Sequence, residues 1–275
     1  MVLMALLLVG SRHCRFKGSG SISSVPTDQP LAIDTLEPSP QPTAMQKPPK
    51  ILDMNTLLGK IDHNHDSLAP IDRSLANRNG MFMHHRALDA FRLMHEAAAA
   101  EGIQLTIISA FRSFDHQKRI WEDKWNGRQT LSGNINATSI TDPTQRALEI
   151  LRFSAMPGTS RHHWGTDIDI NSLNNSYFSS GRGLREYQWL QQNAPLFGFC
   201  QPYTSKSHNN RTGYEEEKWH WSYMPASAEY LENFRQQVQY SHITGFSGYE
   251  TAPLIQVISH YVLAIDEQCL NFSSH

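Results

Sequence analysis

An α+β fold is predicted by three observations on the 275-residue chain. Helical and strand patterns alternate irregularly, the strand patterns are few and short, and no glycine-rich phosphate loop follows any of them, which argues against a doubly wound nucleotide-binding sheet. A hydrophobic content of 39%, with 10% aromatic residues, is ordinary for a globular chain that buries a core, and a single domain over residues 51–270 is expected.

Each element has a local cause. Residues 82–100 place Leu88, Phe91, Met94 and Ala98 at helical spacing and stop before Gly102, so an amphipathic helix is expected. The β-branched run at 103–109 reads as a short strand that delivers Arg112 to the next turn, and 114–125 resumes the helical pattern. Asp142 as N-cap with Pro143 at the first helical position starts a helix through about Phe153, which ends before Pro157-Gly158. TDIDI at 166–170 alternates as a half-buried strand does, sending Asp167 and Asp169 to one face and Ile168 and Ile170 to the other. A helix at 183–196 closed by Gly198 and strands at 199–203 and 218–223 follow; the last puts His220 on one face and Trp219 and Trp221, read as core, on the other. Helices at 226–239 and 250–265 complete the domain.

Ahead of it, residues 1–16 form a candidate signal or N-terminal apolar segment, with the run VLMALLLV and small residues after it, although a basic leader is missing. Cys14 follows Arg12 and His13, bulky polar residues where a lipoprotein signal wants small ones. Residues 17–50 are rich in Ser, Thr, Gln and Pro, with seven of the 14 prolines between Pro26 and Pro49, and are expected to be a linker. No other segment approaches the roughly 18 apolar residues of a membrane span. Cys200 and Cys269 in an exported chain are either a disulfide or two buried thiols. A net charge of -2 without long charge runs excludes an electrostatic footprint for nucleic acid or anionic membrane.

Chemistry concentrates in two stretches, SRHHWGTDID at 160–169 and EEEKWHW at 215–221. Together they offer His162 or its neighbour His163, Asp169 and His220 as three nitrogen and oxygen ligands, with Glu217 three residues before the last. Three protein ligands, a position left for water and a carboxylate not needed for ligation are the parts of a catalytic zinc site, and they point to a hydrolase.

On these residues the chain resembles the zinc D-alanyl-D-alanine carboxypeptidases of the VanY type, which share their metal centre with peptidoglycan L,D-carboxypeptidases, D-alanyl-D-alanine dipeptidases and the Hedgehog fold. The first signature stands here as Ser160, His162, Gly165 and Asp169, the second as Glu217, Trp219 and His220, and the third as Ser109-Ala110-Phe111-Arg112-Ser113 with Gln117 following. The likeness runs from about Leu57 to Tyr223, and the tail to about Cys269 is similar to one subgroup of exported relatives. Asp167 departs from the pattern, since many relatives have alanine there.

The resemblance implies a small, mainly antiparallel sheet flanked by helices, with zinc in a cleft on the sheet, and it favours His162 over His163. His162, Asp169 and His220 would hold Zn2+, Glu217 would move the proton, and Arg112 would stabilise developing negative charge. Ser160, Gln117 and Asp167 are grouped as candidate substrate contacts, with Asp167 open between orienting a ligand, touching substrate and a solvated carboxylate. The implied reaction is removal of a C-terminal D-alanine from a peptidoglycan stem peptide by attack of zinc-bound hydroxide, performed by a monomer in the periplasm or cell envelope. An L,D-carboxypeptidase or endopeptidase on the same stems, and a non-catalytic cell-wall peptide-binding module, are the alternatives. Glu217 and Arg112 discriminate, because a purely structural zinc site requires neither.

Other clusters fail their own tests. Asp62, Asn64 and Asp66 begin like a calcium loop, but Ser67 and Arg73 occupy the positions of its glycine and glutamate. No G-x-S-x-G elbow accompanies the serines.

Overall fold

The computed structural model describes residues 51–272, so the segments read above as signal and linker lie outside the described residues. In chain order the elements are α1 (Met54–Leu57), β1 (Leu68–Pro70), β2 (Phe82–His84), α2 (His85–Ala100), β3 (Ile107–Ser109), α3 (Phe114–Trp125), α4 (Pro143–Ile150), β4 (Asp167–Ile170), α5 (Gly181–Asn193), β5 (Phe199–Cys200), α6 (Lys206–Asn209), β6 (His220–Tyr223), α7 (Met224–Gln237), α8 (Ala252–Ile255) and α9 (Glu267–Leu270). Helices mix with a four-stranded sheet in the order β3-β4-β6-β5 and a separate β1-β2 pair, every pairing between them antiparallel.

The caps follow the residues that predict them. Ser113 caps α3 by accepting from His116 N–H at 3.3 Å, and Asp142 caps α4 by accepting from Gln145 N–H at 2.8 Å. Phe82–His84, expected to open the long helix, instead forms β2, because pairing with Leu68–Pro70 satisfies backbone groups that a helix start leaves free. The expected strand at 103–109 contracts to three residues. The helix expected at 250–265 is broken: α8, with Pro253 in its first turn, ends after four residues where Gln256 turns left-handed at φ 56°, and a π turn covers Ile258–Val262.

Two apolar clusters enclose the sheet. One joins Ile107, Ile168, Ile170, Phe199, Trp219 and Trp221 to Phe91 and Met94 of α2 and Leu190 of α5. The other contains Trp121, Trp125, Ile150, Trp164, Tyr230, Phe234 and Val262. Cys200 of β5 and Cys269 of α9 are joined as a disulfide, with Cα atoms 5.6 Å apart. The tail is thereby tied to the strand next to β6.

Candidate metal centre and cleft

Strand register assembles the site. Asp169 lies opposite His220 across β4 and β6, and opposite Ser109 across β3 and β4, so Asp169 and His220 come together as cross-strand neighbours. His162 belongs to the short 3-10 turn Arg161–Trp164, which Gly165 closes at φ 69°. A Cβ at Gly165 would stand 2.7 Å from Leu68 Cδ2 and 2.9 Å from the His84 nitrogen, so glycine is required there by conformation and by space. Arg112 follows β3; its N–H donates to the His162 carbonyl at 3.1 Å, tying the arginine turn to the histidine turn.

Donor atoms of His162, Asp169 and His220 all lie within 4.8 Å of one another, and all three residues are buried. Asp169 Oδ1 is 3.4 Å from His162 Nε2 and 3.4 Å from His220 Nδ1. Ligands about 2.1 Å from a shared tetrahedral centre stand about 3.4 Å apart, so Asp169 lies at that spacing from each histidine, and the donor types are ones that zinc takes. The opposite ring nitrogens are already committed. His162 Nδ1 pairs with the Ala110 carbonyl at 2.8 Å, and His220 Nε2 pairs with Asp167 Oδ1 at 3.0 Å, so the nitrogens left to face Asp169 are His162 Nε2 and His220 Nδ1. His162 Nε2 and Asp169 Oδ1 are buried without a hydrogen-bond partner, a costly arrangement unless a cation shares them.

The electrostatics agree. Burial opposes charge on His220, yet Asp167, Asp169 and Glu217 hold its proton affinity well above that of an ordinary imidazole. The same carboxylates would favour a metal cation at this position. For Asp169, burial alone would raise the pKa, but His162 and His220 depress it. Burial raises the pKa of Glu217 above an ordinary glutamate, and its Oε2 lies 3.2 Å from His220 Nδ1. The loop carrying Glu217 is braced from both sides: Glu217 N–H donates to the Tyr203 carbonyl at 2.9 Å, Asn175 Nδ2 donates to Glu216 O at 2.7 Å, and Lys218 N–H donates to Asn175 Oδ1 at 3.1 Å.

Asp167 is wholly buried behind His220. Arg161 Nε donates to it at 2.9 Å, Thr166 Oγ1 at 2.7 Å and Ser222 Oγ at 3.0 Å, while Arg161 Nη2 reaches Ser222 Oγ at 2.6 Å. Burial would raise the pKa of Asp167, but the Arg161 guanidinium and His220 hold it well below the usual carboxylate range. His163, the rival to His162, points away from the donor group. Its Nδ1 pairs with the Arg112 carbonyl at 2.6 Å and its Nε2 accepts from Gly158 N–H at 3.0 Å. Burial pushes its pKa down to about 3, so it is a neutral bridge between two turns.

A cleft of about 590 Å³ is lined by Arg112, Lys124, Ser154, Asp169, Glu217 and Trp219, among others. Arg112 Nε is buried and unpaired. Gln117 is fully buried, donating from Nε2 to the Ala155 carbonyl at 2.8 Å, and Ser160 is buried in the segment before His162; neither lines the cleft. Sequence reasoning passed over Arg161, Asn175, Lys124 and Ser154. Lys124 had one visible signal, since it falls seven residues after Gln117 and therefore on the same side of α3.

A small antiparallel sheet carries a His/Asp/His group that could hold one metal ion, with a buried glutamate beside it, on an α+β scaffold. The model of the VanY D-alanyl-D-alanine carboxypeptidase family matches residues 80–226, and the chain belongs to that family. It is 32% identical over 153 residues to the putative carboxypeptidase YodJ of Bacillus subtilis (strain 168), covering 54% of this chain and 48% of that protein. It is 30% identical over 135 residues to the D-alanyl-D-alanine carboxypeptidase of Enterococcus faecalis (strain ATCC 700802 / V583), covering 49% of this chain and 46% of that protein. The chain thus spans about half the length of these curated relatives. Among solved structures it is similar to VanYB in complex with D-alanine-D-alanine, at TM-score 0.45 and 22% identity over 64% of this chain and 87% of that one. It is also similar to the LdcB LD-carboxypeptidase, at TM-score 0.45 and 23% identity over 70% of this chain and 80% of that one.

Proposed function

We propose that the protein is a zinc-dependent D-alanyl-D-alanine carboxypeptidase that trims peptidoglycan stem peptides outside the cytoplasm. The observation that carries this reading is the convergence of His162 Nε2, Asp169 Oδ1 and His220 Nδ1, with both imidazoles anchored through their far nitrogens, beside a buried glutamate, Glu217. Membership of the VanY family supports the substrate class, and the Cys200–Cys269 disulfide supports an oxidising compartment such as the periplasm or cell envelope. Among the described residues, no helix is long and apolar enough to cross a membrane.

His162, Asp169 and His220 hold the metal. Zinc bound there supplies Lewis acidity toward water and the scissile carbonyl. The protein supplies the rest. Glu217, with its proton affinity raised by burial, takes the proton from the attacking water and delivers it to the leaving amine nitrogen. Arg112 places a guanidinium on the cleft wall where negative charge develops on the carbonyl oxygen, a contribution worth about 2.7–4 kcal/mol of barrier. Asp167 fixes the His220 ring and is itself neutralised by Arg161, so it serves the metal through a histidine. Gln117 and Ser160 act from behind the wall: Gln117 holds Ala155, and Ser160 leads the chain into the His162 turn.

Metal content and turnover separate these roles. Glu217→Ala is expected to keep near-normal zinc content and lose activity by orders of magnitude, whereas His220→Ala loses both. Retained turnover in the Glu217 variant would remove it from the proton-transfer role.

A further inference from the structure

Lys124 is an amphiphilic side chain in an unusual setting. It sits in the last turn of α3, lines the cleft together with Asp169 and Glu217, and has one hydrogen bond, from Nζ to Ser154 Oγ. No carboxylate pairs with it among the described residues. Of the acids lining the same cleft, Glu149 is taken by Arg152 at 2.7 Å, and Asp169 and Glu217 belong to the metal centre. Arg112 on the same wall makes no ion pair among the described residues, although its charge is felt by Glu217, and its Nε is buried without a hydrogen-bond partner. Burial, followed by the like charge of Arg112, pulls the pKa of Lys124 below that of an ordinary lysine, against the opposing attraction of Glu217. The fold therefore keeps a largely desolvated ammonium, hydrogen-bonded to a neutral hydroxyl, in the cleft that Asp169 and Glu217 also line, a position that an arriving anion would stabilise.

Resting on the reading of the protein as a carboxypeptidase, we propose that Lys124, held by Ser154, is the receptor for the free C-terminal carboxylate of the substrate and so sets exopeptidase specificity. The hydroxyl fixes the direction of the ammonium and keeps no charge of its own to compete with the ligand. A peptide whose chain continues, or ends in a carboxamide, brings no charge to this position and leaves the ammonium uncompensated. Arg112 is then free for the carbonyl oxygen, which divides the two cations of the cleft between ground-state binding and charge development. Lys124 and Gln117 share one side of α3, and both reach the Ser154–Ala155 stretch, so the same pair of contacts that builds the wall also aims the ammonium.

The test uses binding, which does not depend on turnover. D-alanyl-D-alanine and its C-terminal carboxamide are titrated calorimetrically into the zinc-loaded Glu217→Ala protein and into the same protein carrying Lys124→Met, and hydrolysis of stem peptides by the wild-type protein is measured alongside. The acid is expected to bind about 10- to 100-fold more tightly than the amide, and the preference is expected to collapse in the Lys124→Met background. Ser154→Ala, a milder change, is expected to reduce the preference by a smaller factor. Equal binding of acid and amide, or a preference that survives Lys124→Met, overturns the assignment even where stem peptides are cut. A Lys124-dependent preference without any hydrolysis leaves the assignment standing and overturns the peptidase reading instead.

Discussion

The two faces of β4 are both buried, one under hydrocarbon and the other among charged and polar groups where Asp169 borders the cleft. Ile168 and Ile170, each 0% exposed, pack with Phe91 and Phe199 in a core that any well-shaped apolar side chains could fill. Asp167 and Asp169 are 0% and 4% exposed; both oxygens of Asp167 face an arginine, a hydroxyl or an imidazole, and Oδ1 of Asp169 faces two imidazoles. Alternation along four residues thus puts stability on one side of the strand and function on the other, about one residue's thickness apart. Within the charged face there is a second division. Asp167 has donors on both oxygens, whereas Asp169 Oδ1 has none, and the proposed metal role falls on the acid left unpaired.

Substitutions on the two faces probe this contrast. Asp169→Ala should have the largest effect, abolishing zinc content and turnover together, as read by metal analysis and peptide assay. Arg161→Met leaves Asp167 as an uncompensated buried charge and should cost about 3–5 kcal/mol of stability in denaturant titration, with Arg161→Met/Asp167→Ala recovering part of that loss. On the opposite face, Ile168→Ala should cost about 2–5 kcal/mol by the same measurement and leave zinc affinity unchanged. Asp167→Asn keeps the shape but not the charge, and should weaken zinc binding by about 10- to 100-fold in a chelator competition. If Ile168→Ala weakened zinc as much as Asp167→Asn does, the two faces would not be separable in this way.

Much of the charged face was legible from residue order. The alternation in TDIDI placed Asp167 and Asp169 together, the E-x-x-H offset singled out Glu217 from the run Glu215–Glu216–Glu217, and the three spaced signatures brought Arg112 to the same site. Periodicity could not choose between His162 and His163, because both lie in a 3-10 turn; their far-side partners, the Ala110 and Arg112 carbonyls, come from chain about fifty residues earlier, and the structure turns only His162 toward the donor group. Arg161 and Lys124 were invisible for a related reason. A buried arginine reads as surface until Asp167 and Ser222 close around it, and a lysine late in an amphipathic helix reads as a solvated end until Ser154 folds over it. The tail was misread as one helix because Gln256 adopts a left-handed conformation for which glutamine carries no signal.

Peptidoglycan hydrolysis dependent on the metal is the centre of the account, and products identified by mass test it most directly. The purified protein, loaded with zinc and separately after chelation, is incubated with tripeptide, tetrapeptide and pentapeptide stems. Loss of one D-alanine from the pentapeptide with zinc, none after chelation, and recovery on adding zinc back is the predicted result. Stems that bind the zinc-loaded protein and emerge uncut would contradict it.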